Sequence, residues 1–93
     1  RFLVQEGIYD TFMESFIKAV KKLKIGSPLD PSTEISTVLH PISKIKVEEH
    51  NEDALSKGAV NEYKGTSAYA PKILSGITPA MKIFREEAFG PIA

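Results

Sequence analysis

Arg85-Glu86-Glu87-Ala88-Phe89-Gly90-Pro91-Ile92-Ala93, the last stretch of the sequence, holds its densest cluster of special residues: paired carboxylates, an aromatic two positions after the second, and a Gly-Pro stop. A carboxylate accepts hydrogen bonds from sugar hydroxyls and an exposed aromatic stacks on a flat ring. Glu87 and Phe89 are therefore suited to a ligand carrying both groups. Adjacent residues of an extended segment point to opposite faces, so Glu86 and Glu87 are not expected to share acid–base work on one bond. Composition alone also allows a plain structural role, a helix start with the glutamates at the positive end of the dipole and Phe89 buried as a core anchor.

Outward from that stretch, 93 residues make one domain at most, able to bury roughly 60–65% of the surface of the unfolded chain. Apolar residues at 42% and charged residues at 26% fit a soluble folded chain and argue against disorder. Twelve Lys plus Arg balance twelve Asp plus Glu, so no net field draws the protein to nucleic acid or to an anionic membrane, and neither is expected as a partner. The absence of cysteine excludes a disulfide framework, a thiolate metal site and a cysteine nucleophile within these residues. No apolar run approaches the ~20 residues that span a bilayer, and no signal-peptide core is present. The sequence begins at Arg1 without Met and enters Phe2-Leu3-Val4 at once, as an excerpt from a longer chain would.

Phe2-Leu3-Val4-Gln5, closed by Glu6-Gly7, is expected as a buried strand, its continuous apolarity suiting a parallel sheet. Tyr9, Phe12, Met13, Phe16, Ile17, Val20 and Leu23 then recur at three- and four-residue spacing, the period of one helical face. Asp10 lies where a carboxylate can cap free amides, and Lys18, Lys21, Lys22 and Lys24 gather at the far end, a solvated terminus whose cations offset the helix dipole. Ser27 to Thr33 is loop. A second helix is expected over 41–57, with Pro41 in its first turn and Gly58 as its stop. Its apolar stripe, Ile42, Val47, Ala54 and Leu55, is weaker, and His50 and Asn51 occupy or border the same face, so it should dock less firmly than the first. Ala59 to Tyr63 reads as a strand and Lys64 to Ser67 as a turn. Another extended segment then follows Pro71, which opposes a central strand at its own position. A single helical turn around Pro79-Ala80-Met81 and an extended Met81-Lys82-Ile83-Phe84 lead into the final stretch. The order strand, helix, helix, strand, extended segment, strand is α/β, without internal repeats.

No catalytic constellation is complete. His40 and His50 lack the partners of a helical zinc motif, so no metal site is expected, and Glu48-Glu49-His50 reads as a solvated helix face. There is no GxSxG elbow, and Lys64-Gly65-Thr66 without preceding glycines is a turn rather than a phosphate loop.

The final stretch resembles the EExFGP signature of the aldehyde dehydrogenase superfamily, and further likenesses follow in family order along essentially the whole chain. Arg1-Phe2-Leu3-Val4-Gln5 resembles the strand after the catalytic cysteine segment, and Gly26-Ser27-Pro28-Leu29-Asp30-Pro31-Ser32-Thr33 the G-x-P-x-D-P loop. Ala54-Leu55-Ser56-Lys57-Gly58-Ala59 resembles the helix-to-strand junction, and Tyr69-Ala70-Pro71-Lys72-Ile73-Leu74 the Y-x-P-T-(I/V)-L segment. The opening residues are most similar to the succinate-semialdehyde dehydrogenase-like branch. The resemblance implies that residues 1–93 form a single partial domain, the C-terminal part of a three-layer αβα catalytic domain, in a homo-oligomeric parent of the cytoplasm or, in a eukaryote, the mitochondrial matrix. In such a parent a cysteine thiolate attacks the aldehyde, hydride passes to NAD or NADP, and a water activated by a glutamate releases the acid. The nucleophile, base and oxyanion donor would precede Arg1, so this chain is expected to hold no catalytic residue and to be inactive alone. What carries over is cofactor binding: Glu87 accepting hydrogen bonds from the ribose hydroxyls on the nicotinamide side, and Phe89 packing near the nicotinamide ring.

Three departures from the family pattern stand out. Ile35-Ser36-Thr37-Val38 replaces a Gly-Pro-Leu-like run, Asn51 stands where an apolar residue is expected, and the region from Asn61 to Gly65 is short and lacks a Gly-Gly. The competing expectation is a truncated, non-catalytic α/β module for binding or assembly.

Overall fold

In a computed structural model that describes residues 1–37 and 40–93, a 3-10 turn at Glu6–Ile8 runs into helix α1, Tyr9–Lys21. Strands β1 (Ile25–Gly26) and β2 (Ile35–Ser36) pair in parallel. Helix α2, Pro41–Ser56, follows, then β3 (Val60–Lys64), β4 (Lys72–Ser75) and a helical turn, α3, at Lys82–Arg85. The expected departure at 35–38 falls partly on Val38, outside the described residues.

α2 lies where its period and stops place it, whereas α1 ends at Lys21, short of Leu23 in its stripe, and Ile25–Gly26 is a strand rather than the end of the helix. α2 starts on Pro41 and ends before Gly58, whose φ of 95° is the left-handed geometry that a helix-ending glycine adopts without strain. Asp10 makes no cap. The α1 N-cap is Ile8, without a side-chain bond, because the chain enters the helix already coiled in the 3-10 turn. Of the lysines at the end of α1, Lys18 pairs with Glu14 at 2.6 Å, Lys21 sits 5.8 Å from the Tyr63 ring, and Lys24 reaches Asp30 at 3.1 Å in the loop before β2.

β4 is the centre of the molecule. β3 pairs with it antiparallel, Tyr63 opposite Ile73, with a register shift between Asn61 and Tyr63. On its other edge residues 91–93 run parallel to it. Lys72 N donates to Pro91 O at 2.9 Å, Leu74 N to Ala93 O at 2.8 Å, and Ala93 N to Lys72 O at 3.0 Å. Pro71 precedes this strand without interrupting it, as a residue lacking an N–H must. Lys72, Ile73 and Leu74 are all buried, the mark of a strand covered on both faces. Leu74 packs with Ala54 of α2 and with Met81, while Tyr63, beside Ile73, meets Lys21 of α1. The result is a small α/β layering.

The structure departs from expectation in three places. Residues 1–5 form no strand, and Leu3 is fully exposed. A strand needs a neighbour to satisfy its backbone, and among the described residues no strand lies beside this segment. Phe2 instead packs on Phe16 and Phe12 of α1, at centroid distances of 4.8 and 6.0 Å. The order of docking is also reversed. α2 buries Val47, His50, Asn51 and Ala54, whereas α1 buries only Val20, because the α2 face receives β4 and the final stretch while part of the α1 stripe borders an open cleft. Ile42 and Leu55, assigned to the α2 stripe, are exposed. Finally, Lys82–Arg85 is helical rather than extended. Asp53 of α2 accepts the Lys82 N–H at 2.8 Å and so caps the turn from outside, an interaction across the fold that local sequence does not reveal.

The Gly-Pro of the final stretch has a steric origin. A Cβ on Gly90 would lie 2.3 Å from Val47 Cγ2, so any larger residue must displace Val47 for the chain to cross α2 and join β4. Gly90→Ala should cost about 1–3 kcal/mol by overpacking, and Val47→Ala in the same chain should recover part of that loss. Urea denaturation of the wild-type, single and double variants measures both effects.

Candidate functional site

The α2 run that looked solvated is a fastening for the functional end of the chain. Glu48 accepts from Lys72 Nζ at 2.8 Å, and Glu49 pairs with Lys82. His50, fully buried, places Nε2 3.3 Å from Glu86 Oε2. Asp53 pairs with Lys57 at 2.6 Å, and Lys57 also donates to Ala80 O at 2.8 Å. The expectation of a solvated Glu48-Glu49-His50 face is thus corrected. The spacing held the signal, since His50 and Asn51 stand three and four residues after Val47 and before Ala54, on one helical face. Asn51 is buried as the expected apolar residue would be, and its Oδ1, like His50 Nδ1, is buried without a hydrogen-bond partner among the described residues.

Beyond α3 the backbone turns extended at Glu86, with φ −106° and ψ 150°, and Glu86 N donates to Lys82 O at 2.8 Å. No helix starts there, and Phe89 is 68% exposed, so neither the helix start nor the buried anchor describes this stretch. A cleft of about 570 Å³ opens beside it, lined by Ile73, Leu74, Ile77, Phe16, Phe84 and Glu87 among others. Glu87 is exposed, and among the described residues its carboxylate has no hydrogen-bond or ion-pair partner. Phe89 is not among the cleft's lining residues. The two residues singled out from sequence therefore stand close in the chain but do not share this cleft. Sequence reasoning also missed Arg1 at the cleft edge, whose guanidinium lies 4.7 Å from the Phe84 ring and bonds Phe84 O. Among the described residues no group of His, Cys, Asp or Glu is arranged to hold a metal, and no helix is long and apolar enough to cross a membrane.

The fastening has a definite electrostatic character. The Lys82 ammonium holds the Glu49 carboxyl below its ordinary 4.5, and Glu49 in turn raises Lys82 above 10.5. Lys57, with help from the Lys82 N–H, holds Asp53 below 3.8. These groups are solvent-accessible, so screening keeps each contribution small.

The chain belongs to the aldehyde dehydrogenase family, whose model matches residues 1–93. It is 42% identical to the mitochondrial succinate-semialdehyde dehydrogenase of Oryza sativa, over all of this chain and 19% of that protein. Its fold is found within an aldehyde dehydrogenase from Brucella melitensis (TM-score 0.85, 39% identity, 96% of this chain and 19% of that one). It is found again within an NADP-dependent glyceraldehyde-3-phosphate dehydrogenase from Bacillus halodurans complexed with NADP (TM-score 0.84, 30% identity, 96% and 19%). The chain thus spans about a fifth of the length of the proteins it matches.

Depressed carboxyls stabilise the fold fully above their ordinary values of 4.5 and 3.8, and the contribution is lost as pH falls through their lower folded-state values. The raised lysine contributes fully below 10.5 and loses its share as pH climbs past its folded-state value. Melting temperature should therefore fall on both flanks, below about pH 4 and in strong alkali. Thermal melts across pH should show a shallower acid flank for Lys82→Met, which removes the partner of Glu49.

Proposed function

We propose that this chain supplies one wall of the nicotinamide–ribose site in an NAD(P)-dependent aldehyde dehydrogenase, and that the whole protein oxidises an aldehyde to a carboxylic acid. The observation that carries the proposal is the unpartnered Glu87 carboxylate lining a cleft that also presents Ile and Phe side chains, with Arg1, Arg85 and Glu86 beside them, in a chain of this family. A carboxylate there can accept from two vicinal ribose hydroxyls, and the Ile and Phe side chains that line the same cleft suit a flat ring. The volume falls within the roughly 300–1,000 Å³ of small-ligand pockets, enough for the nicotinamide half of a dinucleotide. When bound, the cofactor supplies the hydride acceptor for the oxidation. The residues of this chain bind and orient it. Phe89, exposed beyond the cleft, offers an aromatic face for the ring from outside it.

The 93 residues contain no cysteine, so the nucleophile belongs to residues outside them and the segment acts as part of a larger catalytic domain. Likeness to the rice succinate-semialdehyde dehydrogenase favours a short semialdehyde, with one carboxylate at the end opposite the aldehyde, as substrate, and the NADP complex of the Bacillus relative supports NADP as one of the two candidate cofactors. A homo-oligomeric state and a cytoplasmic or mitochondrial-matrix location rest on family likeness. Family membership gives no support to a separate role in binding or assembly.

In the full-length enzyme Glu87→Gln should raise the cofactor KM about tenfold and slow hydride transfer, because an amide oxygen accepts a weaker hydrogen bond than a carboxylate. Steady-state kinetics with varied cofactor measures this, and unchanged values would remove Glu87 from the site. The 93-residue segment mixed with aldehyde and NAD(P) should form no reduced cofactor. Appearance of the reduced form would place a nucleophile inside the segment.

A further inference from the structure

We infer that His50 is a positioning residue for cofactor binding: from inside α2 it fastens Glu86 and thereby aims Glu87. The inference rests on the assignment of Glu87 to the ribose, and it concerns how that carboxylate is held in place.

Glu86 is fixed at two points. Its N–H donates to Lys82 O at 2.8 Å, and its Oε2 lies 3.3 Å from His50 Nε2. The imidazole has no exposed surface, and Nδ1 has no partner among the described residues, so the hydrogen bonding of the ring is spent on Glu86. A carboxylate only accepts, so Nε2 carries the proton in this contact. Burying a ring nitrogen without a partner is costly, and an aliphatic side chain of similar size would fill the same space without that cost. The polar ring therefore contributes more than packing, and what it contributes is the contact with Glu86.

The geometry carries that contact to the next residue. Glu86 is extended, and in extended backbone successive side chains leave on opposite sides. With the Glu86 carboxylate turned to His50 of α2, Glu87 leaves the backbone on the other side, and both residues border the cleft. Three residues further on, Gly90 is seated against Val47 of the same helix. α2 thus holds the stretch on both sides of Glu87 while leaving its carboxylate without an internal partner. The backbone that carries Glu87 is thus held before the ligand arrives, so binding need not supply the entropy of ordering the main chain there.

The test uses the full-length enzyme with His50→Leu, which keeps volume and removes the donor, His50→Gln, which keeps a donor, and Glu87→Gln alone and combined with His50→Leu. Cofactor affinity is measured by titration with NAD(P) alone, alongside KM for the aldehyde and melting temperature. His50→Leu should weaken cofactor affinity about five- to tenfold and leave the aldehyde KM unchanged, and His50→Gln should recover most of the loss. If His50 acts through Glu87, His50→Leu should weaken affinity much less in the Glu87→Gln background than in wild type. Unchanged affinity in His50→Leu, or losses that add fully in the double variant, would reduce His50 to a packing residue. Unchanged affinity in Glu87→Gln would instead overturn the ribose assignment and this inference with it. Should His50→Leu fail to fold, Glu86→Ala removes the same contact at a half-exposed side chain and carries the same expectation.

Discussion

The side chain and backbone of Lys72 join three parts of the chain at one point. Its ammonium, 3% exposed, meets Glu48 of α2, its N–H meets Pro91 and its carbonyl meets Ala93, all while it pairs with Lys64 of β3. A buried ammonium tolerates few positions, because each one that leaves it unpaired strands a charge away from water. A shift of β4 along α2 would separate the pair, and with it the ladder to residues 91–93. The pair, with Lys72 buried and Glu48 partly exposed, thus constrains register. The location of the cleft is tied to that register, since Ile73 and Leu74, the next two residues of β4, are among its lining residues.

α2 is the plate to which the functional end is attached, and it makes the attachment mostly with polar groups. Glu48, Glu49, His50 and Asp53 reach, in that order, the central strand, the α3 turn, the acidic pair and the α3 N-terminus. Apolar burial on this helix is limited to Val47 and Ala54. Hydrophobic contact is non-directional, so a stripe of leucines would hold these segments close without fixing their orientation. Hydrogen bonds and ion pairs fix direction, and a cofactor site needs direction.

What could be read from sequence follows the range of the interactions that decide each element. α1, α2, β3 and β4 were legible because periodicity, Pro41, Gly58 and Pro71 act within a few residues of the structure they set. The opening strand was not, because Phe2 to Gln5 has the composition of a strand while the neighbour that would complete one is absent from the described residues. The α3 turn was hidden because its cap comes from Asp53, far back in the chain. His50 was hidden by the company of Glu48 and Glu49, whose charge suggested solvent although the spacing from Val47 to Ala54 pointed inward. At the site, Glu87 and Phe89 were named from their chemistry and the resemblance, yet only Glu87 lines the cleft. Which side chains a fold brings to one cavity is a property of packing, and local pattern does not carry it.

The register shift between Asn61 and Tyr63 has a consequence for life in a crowded solution. Among the described residues β3 is the outer strand of its sheet, so one row of its amides and carbonyls faces away from β4. An unbroken row of that kind is a template for edge-to-edge pairing with another chain. The irregularity interrupts the ladder and twists the strand out of plane, and the charged Glu62 and Lys64 flank the aromatic Tyr63. A strand displaced in this way offers an incoming segment only a short run of aligned donors and acceptors. The bulge thus discourages aggregation at the edge of the sheet farthest from residues 91–93.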